Sequence, residues 1–208
     1  MVARDITLGS VRLTWLIIGL ILFAAFGPLV WLVPSKRDRR LAKMRSRARA
    51  LGIQVELTRL PDVAAQPSAR VSAGGLRREP MVSCAAYRLA LPRSARAAPQ
   101  WRLLRGAESN GPLSGWQWDS PSVGDAQYWE RVGAIIAAFP PDTLACGAQP
   151  TEVACWWREN TTAENAENSV DSLHATLVKL AELQRLIDAA KRAEDDADEA
   201  PEGPDSER

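Results

Sequence analysis

The chain has 208 residues, of which 46% are hydrophobic and 25% are charged, and its net charge is +1. This size allows one core of ordinary dimensions, or a membrane anchor followed by one small domain. The near-zero net charge excludes a bulk electrostatic argument for nucleic-acid binding. The charges are unevenly distributed, because residues 34–105 contain 17 Lys+Arg and 4 Asp+Glu, whereas residues 106–208 contain 7 and 20.

Residues 13–33 form an uncharged apolar stretch, LTWLIIGLILFAAFGPLVWLV. At about 1.5 Å per residue, a helix of this length reaches roughly 30 Å, the thickness of the hydrocarbon layer of a bilayer. Trp15 and Trp31 stand near its two ends, where indole rings favour the membrane interface. We therefore predict a transmembrane helix, in preference to a cleaved signal peptide, a buried core helix or a re-entrant hairpin at Gly27-Pro28.

Basic residues follow the apolar stretch. Residues 36–49 contain a single acid, Asp38, and the basic residues Lys36, Arg37, Arg39, Arg40, Lys43, Arg45, Arg47 and Arg49. The positive-inside rule places this side in the cytoplasm and the N-terminus outside. Only 4 of the 26 basic residues are lysine, which is typical of a GC-rich bacterial gene. We therefore predict a protein of the bacterial inner membrane, with a periplasmic N-terminus and a cytoplasmic C-terminal domain.

Residues 34–51 are predicted to form a basic amphipathic helix next to the membrane. Apolar residues recur there at helical spacing, namely Leu41, Met44, Ala48 and Leu51. Such a helix binds anionic lipid, to which each basic side chain contributes about 1 kcal/mol. The alternative is that the cations serve only as the topology signal. No aromatic residue is interleaved for base stacking, so nucleic-acid binding is not favoured.

The segment 52–192 is predicted to be a small soluble α+β domain with an antiparallel sheet. Alternation of apolar and polar residues predicts strands at residues 52–60, 82–91, 101–104, 143–148 and 152–158, the last two forming a hairpin. Residues 106–124 are rich in Gly, Pro and Ser and are predicted to be an irregular connection.

Two helices are predicted to pack on this sheet, at residues 125–139 and 169–192. The second helix carries an apolar stripe, formed by Val170, Leu173, Leu177, Leu180, Leu183 and Ile187. Packing against the sheet is favoured, and a short coiled-coil dimer is the alternative. Residues 193–208 include 8 acids and are predicted to be disordered, and residues 1–12 form a short N-terminal tail.

No catalytic or metal-binding motif is present in the sequence. The three cysteines, Cys84, Cys146 and Cys155, form no C-x-x-C pair, and His174 is the only histidine. Phosphate loops, dinucleotide fingerprints and nucleophile elbows are absent. Cys146 and Cys155 lie on the two arms of the predicted hairpin and can face each other, although a disulfide there requires the opposite topology. We predict no catalytic residue, no metal and no cofactor.

Six of the eight tryptophans lie outside the apolar stretch. Aromatic residues build either a small core or a protein interface. Neighbouring residues of a strand point to opposite faces, so Trp156 and Trp157 cannot both enter one core. A small core is the favoured use of these residues, and the candidates for a partner surface are Trp116, Trp118, Trp156 and Trp157.

The order of apolar span, proline and basic run (Pro34-Ser-Lys-Arg-Asp-Arg-Arg) resembles the layout of the YajC subunit of the bacterial Sec translocase. The resemblance covers about 40 residues, and it implies an accessory subunit of that translocase. From the predicted topology and the missing catalytic motifs, we expect a non-enzymatic scaffold or accessory subunit that contacts the lipid bilayer and a membrane-protein partner. A membrane-tethered enzyme and an anionic-lipid sensor are the alternatives.

Overall fold

The computed structural model describes residues 15–21, 23, 34–66, 75–76, 79–106, 110–120, 124–160 and 165–198. The chain divides into two compact units, residues 1–40 and residues 41–208. The second unit contains an α+β domain with a six-stranded antiparallel sheet, so the predicted α+β class and antiparallel sheet are confirmed.

The sheet has an order that its sequence pattern does not reveal. Its strands are β1 (Ile53–Pro61), β2 (Met81–Ala90), β3 (Trp101–Arg105), β4 (Trp116–Ser120), β5 (Thr143–Ala148) and β6 (Glu152–Trp157). They are arranged β1-β2-β6-β5-β3-β4, so β1 and β4 are the edges. The predicted β5–β6 hairpin is confirmed, whereas β4 lies where an irregular connection was predicted. The five residues of β4 show too little alternation of apolar and polar side chains to predict a strand within a segment rich in Gly, Pro and Ser. The strand is defined by its antiparallel pairing with β3.

Beyond residue 33, the described residues form three helices, and local sequence sets the start of the first two. They are α1 (Lys36–Ala50), α2 (Ala126–Ile136) and α3 (Ala166–Asp198). A reciprocal capping box starts α1, since the Asp38 amide donates to the Ser35 hydroxyl and the Ser35 amide donates to the Asp38 carboxylate, each at 3.1 Å. Asp125 caps α2 by accepting from the Tyr128 amide at 2.6 Å. Helix α3 continues past the predicted end at Arg192.

One face of the sheet forms the main core with the helices. The largest buried side chains of this core come from β2, β3 and β6, namely Tyr87, Trp101 and Trp157. Helix α1 contributes Met44 and Ala48, and α3 contributes its predicted apolar stripe, including Val170, Leu173, Leu177 and Leu180. Because this stripe is buried in the domain's own core, it is not available as a coiled-coil seam.

The opposite face of the sheet has a smaller apolar cluster. Its buried members are Leu60, Cys84, Ala86, Leu104, Ala145, Ala154 and Trp156. Val63, in the segment that follows β1, packs against this cluster. The two adjacent tryptophans of β6 therefore enter different clusters, as strand alternation requires.

The predicted transmembrane helix at residues 13–33 is wrong, and so is the single-pass membrane class that was based on it. In the described part of the chain, no helix is both long and apolar enough to cross a membrane. Residues 15–21 and 23 of this segment are helical, and the rest of the predicted span lies outside the described residues. Trp15 is 69% exposed on this helical piece. Trp31, Gly27-Pro28 and residues 199–208 of the predicted disordered tail lie outside the described residues.

A buried ion pair connects α1 to Glu159, the second residue after the end of β6. Arg45 Nε donates to Glu159 Oε1 at 2.9 Å, Arg45 Nη2 donates to Glu159 Oε2, and the Tyr87 hydroxyl donates to Oε1 at 2.7 Å. Glu159 is only 4% exposed and has a left-handed φ of 56°, a conformation that is costly for a residue with a Cβ. The hydrogen bond to Glu159 raises the pKa of Arg45, so this guanidinium stays charged.

Glu159→Gln should lower the free energy of unfolding by about 3 kcal/mol, because it leaves Arg45 half-buried without a counter-charge. Asp171→Asn is the matched control. It removes the partner of Arg47 from a pair whose side chains are 47% and 44% exposed, so it should cost less than about 1 kcal/mol. Urea unfolding followed by circular dichroism measures both losses, and equal losses would contradict this role for Glu159.

Candidate interaction surfaces

The basic residues of α1 do not form one uniform charged surface. Arg45 is committed to Glu159, and Arg47 Nε donates to Asp171 Oδ1 at 2.9 Å. Lys43 and Arg49 are exposed on the same part of the helix. In the first unit, Lys36, Arg37 and Arg39 are exposed, Arg40 is half-buried, and Arg39 Nε donates to the Pro34 carbonyl at 3.1 Å.

The apolar side of α1 is already occupied. Met44 and Ala48 are buried in the main core, and Leu41 and Leu51 pack against it. An amphipathic helix binds a bilayer by burying its apolar side among acyl chains. From Leu41 onward, α1 therefore offers an anionic surface only its charged side, unless the domain unpacks.

The four tryptophans of the predicted partner surface are mostly buried in this chain. Trp116 and Trp157 belong to the main core, and Trp156 belongs to the smaller cluster. Trp118 is half-buried and meets the ring of Trp129 edge to face, with centroids 5.1 Å apart. None of these four rings is broadly exposed. The burial of the rings does not favour a partner surface here, and their role in binding stays a prediction.

Trp156 lies between two arginines on the second face of the sheet. The guanidinium carbons of Arg88 and Arg102 are 5.8 and 5.7 Å from the centroids of its ring system. Arg88 pairs with Glu152 and Glu56, and Arg102 pairs with Asp119. The two guanidinium groups lie over the indole ring, and each of them is paired with at least one carboxylate. Their arrangement is that of a structural cover over Trp156.

A buried polar network connects β3, α2 and α3. Trp101 Nε1 and Gln184 Nε2 both donate to the Tyr128 hydroxyl, each at 2.6 Å. Burial raises the pKa of Tyr128 to about 12, so the phenol remains protonated at neutral pH. The network satisfies three polar side chains in a region that is otherwise packed with aromatic rings.

A cleft of about 320 Å³ lies beside this network, between the start of α2 and the later part of α3. It is lined by Pro99, Gly124, Asp125, Tyr128, Ile187, Ala190, Lys191 and Glu194. Asp125 is engaged as the cap of α2. Among these residues, Lys191 would attract an anion, whereas Asp125 and Glu194 would attract a cation. The charge of the lining therefore selects no ligand class.

The cysteines are poorly suited to nucleophilic catalysis where they stand. Burial raises the pKa of Cys84 to about 11 and of Cys155 to about 12, and it raises the pKa of Cys146 well above its ordinary value. These thiols are therefore protonated at neutral pH and weakly nucleophilic. His174 is half-buried on α3. Among the described residues, no group of three or more His, Cys, Asp or Glu side chains can hold a metal ion.

The edge strand β1 is a surface that the sequence did not single out. Within the described residues, its nine residues pair with β2 alone. Leu57, at the middle of β1, is 66% exposed, and Met81 on β2 is 51% exposed. Both lie on the helix side of the sheet, but the helix layer covers Ile53 and ends before Leu57. In the part of the chain that the structure describes, a backbone edge without a partner strand thus adjoins exposed apolar side chains.

Comparison of the chain with protein-family models, curated proteins and solved structures gave no match. The YajC-like layout of the first 40 residues therefore stays a resemblance. A function must be inferred from the surfaces of the molecule itself.

Tyr128→Phe should lower the free energy of unfolding by about 2 kcal/mol, because it leaves the donors of Trp101 and Gln184 buried without their acceptor. In amide NMR spectra, the indole N–H resonance of Trp101 should shift. Tyr87→Phe is the control, since its hydroxyl bonds Glu159, and it should leave that resonance in place. An unchanged Trp101 resonance in the Tyr128 variant would argue against the network.

Proposed function

We propose that this chain is an accessory subunit whose α+β domain binds another protein through the open edge of its sheet. The observation that carries the proposal is the nine-residue strand β1 at the sheet edge, with Leu57 66% exposed at its middle. An extended segment of a partner can pair with the outward N–H and C=O groups of β1. Apolar residues of that segment would then cover Leu57 and Met81.

The side chains of β1 define the chemistry of such a partner. On the helix side of the sheet, the partner strand needs an apolar residue next to Leu57. On the other side, Glu56 is exposed and pairs with Arg88, 3.3 Å away, which favours a polar or cationic neighbour. Arg59 follows Leu57 on the same side and is exposed. Charged residues at an edge oppose indiscriminate pairing, so these two charges support a selective interaction over aggregation.

A second candidate function is binding to an anionic surface through α1. The observation that favours it is the outward position of Lys43 and Arg49 beside a buried apolar side. Binding of this kind is mainly electrostatic, because the larger apolar side chains of this part of the helix, Leu41, Met44 and Leu51, are packed on the domain. Anionic vesicles should therefore release the protein at high salt, where charges are screened. Retention at high salt would require another contact.

Leu57→Lys should abolish stoichiometric co-purification of a partner from the native host, because it places a charge on the surface that the partner strand covers. The matched control is Leu186→Lys, at a leucine that is 51% exposed on α3. Both variants should unfold within about 0.5 kcal/mol of the parent, as exposed substitutions do.

A photo-crosslinking side chain at position 57 should yield one discrete adduct, and the same group at position 186 should not. Amides of β1 should become protected from hydrogen exchange in the isolated complex. A parent protein that purifies alone, or equal behaviour of the two lysine variants, would overturn the proposal.

A further inference from the structure

Cys146 and Cys155 are direct register partners on the neighbouring strands β5 and β6. Both side chains lie in the main core and are fully buried, so they point to the same face of the sheet. The adjoining turn identifies the type of pair. Gln149 N donates to Glu152 O at 2.8 Å, and Glu152 N donates to Gln149 O at 3.4 Å, so these two residues form a hydrogen-bonded pair.

Pair types alternate along an antiparallel ladder. Counting from the turn, Ala148 and Val153 form a non-hydrogen-bonded pair, Gly147 and Ala154 a hydrogen-bonded pair, and the two cysteines a non-hydrogen-bonded pair. In such pairs the Cα atoms are about 4.5 Å apart and the side chains approach most closely. Disulfides occur at Cα separations from about 4.4 Å upward. The backbone thus already holds the two thiols at a separation that a disulfide can bridge.

We propose that Cys146 and Cys155 form a modification site, at which a peroxide converts the two thiols into a disulfide that staples β5 to β6. With hydrogen peroxide, the two S–H bonds and the O–O bond break and the S–S bond forms. The two electrons and two protons lost by the cysteines leave in two water molecules. This site is independent of the proposed partner edge on β1.

The surroundings make the reaction slow but specific. Burial keeps both thiols protonated, so oxidation requires brief opening of the strands and accelerates as the pH rises. Cys84 lies on the opposite face of the sheet, where its register partner on β1 is Thr58. Cys84 therefore has no cysteine across the strand, and it supplies a matched control within the same chain.

The test exposes the reduced full-length chain to hydrogen peroxide and follows intact mass, free thiols and linked peptides. The free-thiol count should fall from three to one, with Cys146 joined to Cys155 and the mass reduced by two hydrogens. The thermal midpoint should rise, because the bridge restricts the unfolded chain. Cys84→Ser should retain the mass change, and both Cys146→Ser and Cys155→Ser should abolish it.

Peptide maps that join Cys84 to either partner, or that show only sulfenic and sulfinic acids, would overturn the proposal. So would an unchanged mass in the folded protein under conditions that fully oxidise the same chain in urea. Cys146→Ala and Cys155→Ala, which preserve an apolar core, give the same readout if the serine variants fail to fold.

Discussion

The bond between Arg45 and Glu159 joins two segments that are 114 residues apart in sequence. It holds α1 against the sheet, and it retains Glu159 in a left-handed backbone conformation two residues after the end of β6. Tyr87 completes the arrangement from β2, so one carboxylate connects a helix with two central strands. A buried charge of this kind has a large desolvation cost, and its partners must all be in place for the arrangement to be stable. The position of α1 therefore depends on β6 having formed.

Because α1 packs into the core, its apolar side is not available to bind a partner. Met44 and Ala48 face the sheet, so the helix presents charge to its surroundings and keeps its apolar side for the domain. The helices cover one face of β2, β3, β5 and β6 and part of β1, and they leave Leu57 exposed. The second face of the sheet is closed by Val63 and by the arginines that stack on Trp156. Among the described residues from 41 to 198, Leu57 and Met81 therefore form an exposed apolar patch beside the β1 edge.

Local pattern predicted the local features well. The β5–β6 hairpin, the apolar stripe of α3 and the opposite directions of Trp156 and Trp157 follow from the periodicities of strands and helices. The local sequence pattern did not predict which residues contact each other across the fold. Arg45 has the same local context as the neighbouring arginines, and nothing near it indicates Glu159 as its partner. Leu57 alternates as a core residue does, because periodicity distinguishes the two faces of a strand but not a central strand from an edge. Length and hydropathy predicted a membrane span that the described helices do not support.

From Leu41 onward, α1 is an integral part of the α+β domain. Native-state hydrogen exchange on the full chain tests whether the helix opens together with the sheet. The amides of residues 45–50 should exchange only through global unfolding, with the same opening free energy as the amides of β6 at Ala154 and Cys155. A markedly lower opening free energy for α1 would show that the helix detaches while the sheet stays folded, and it would contradict this account.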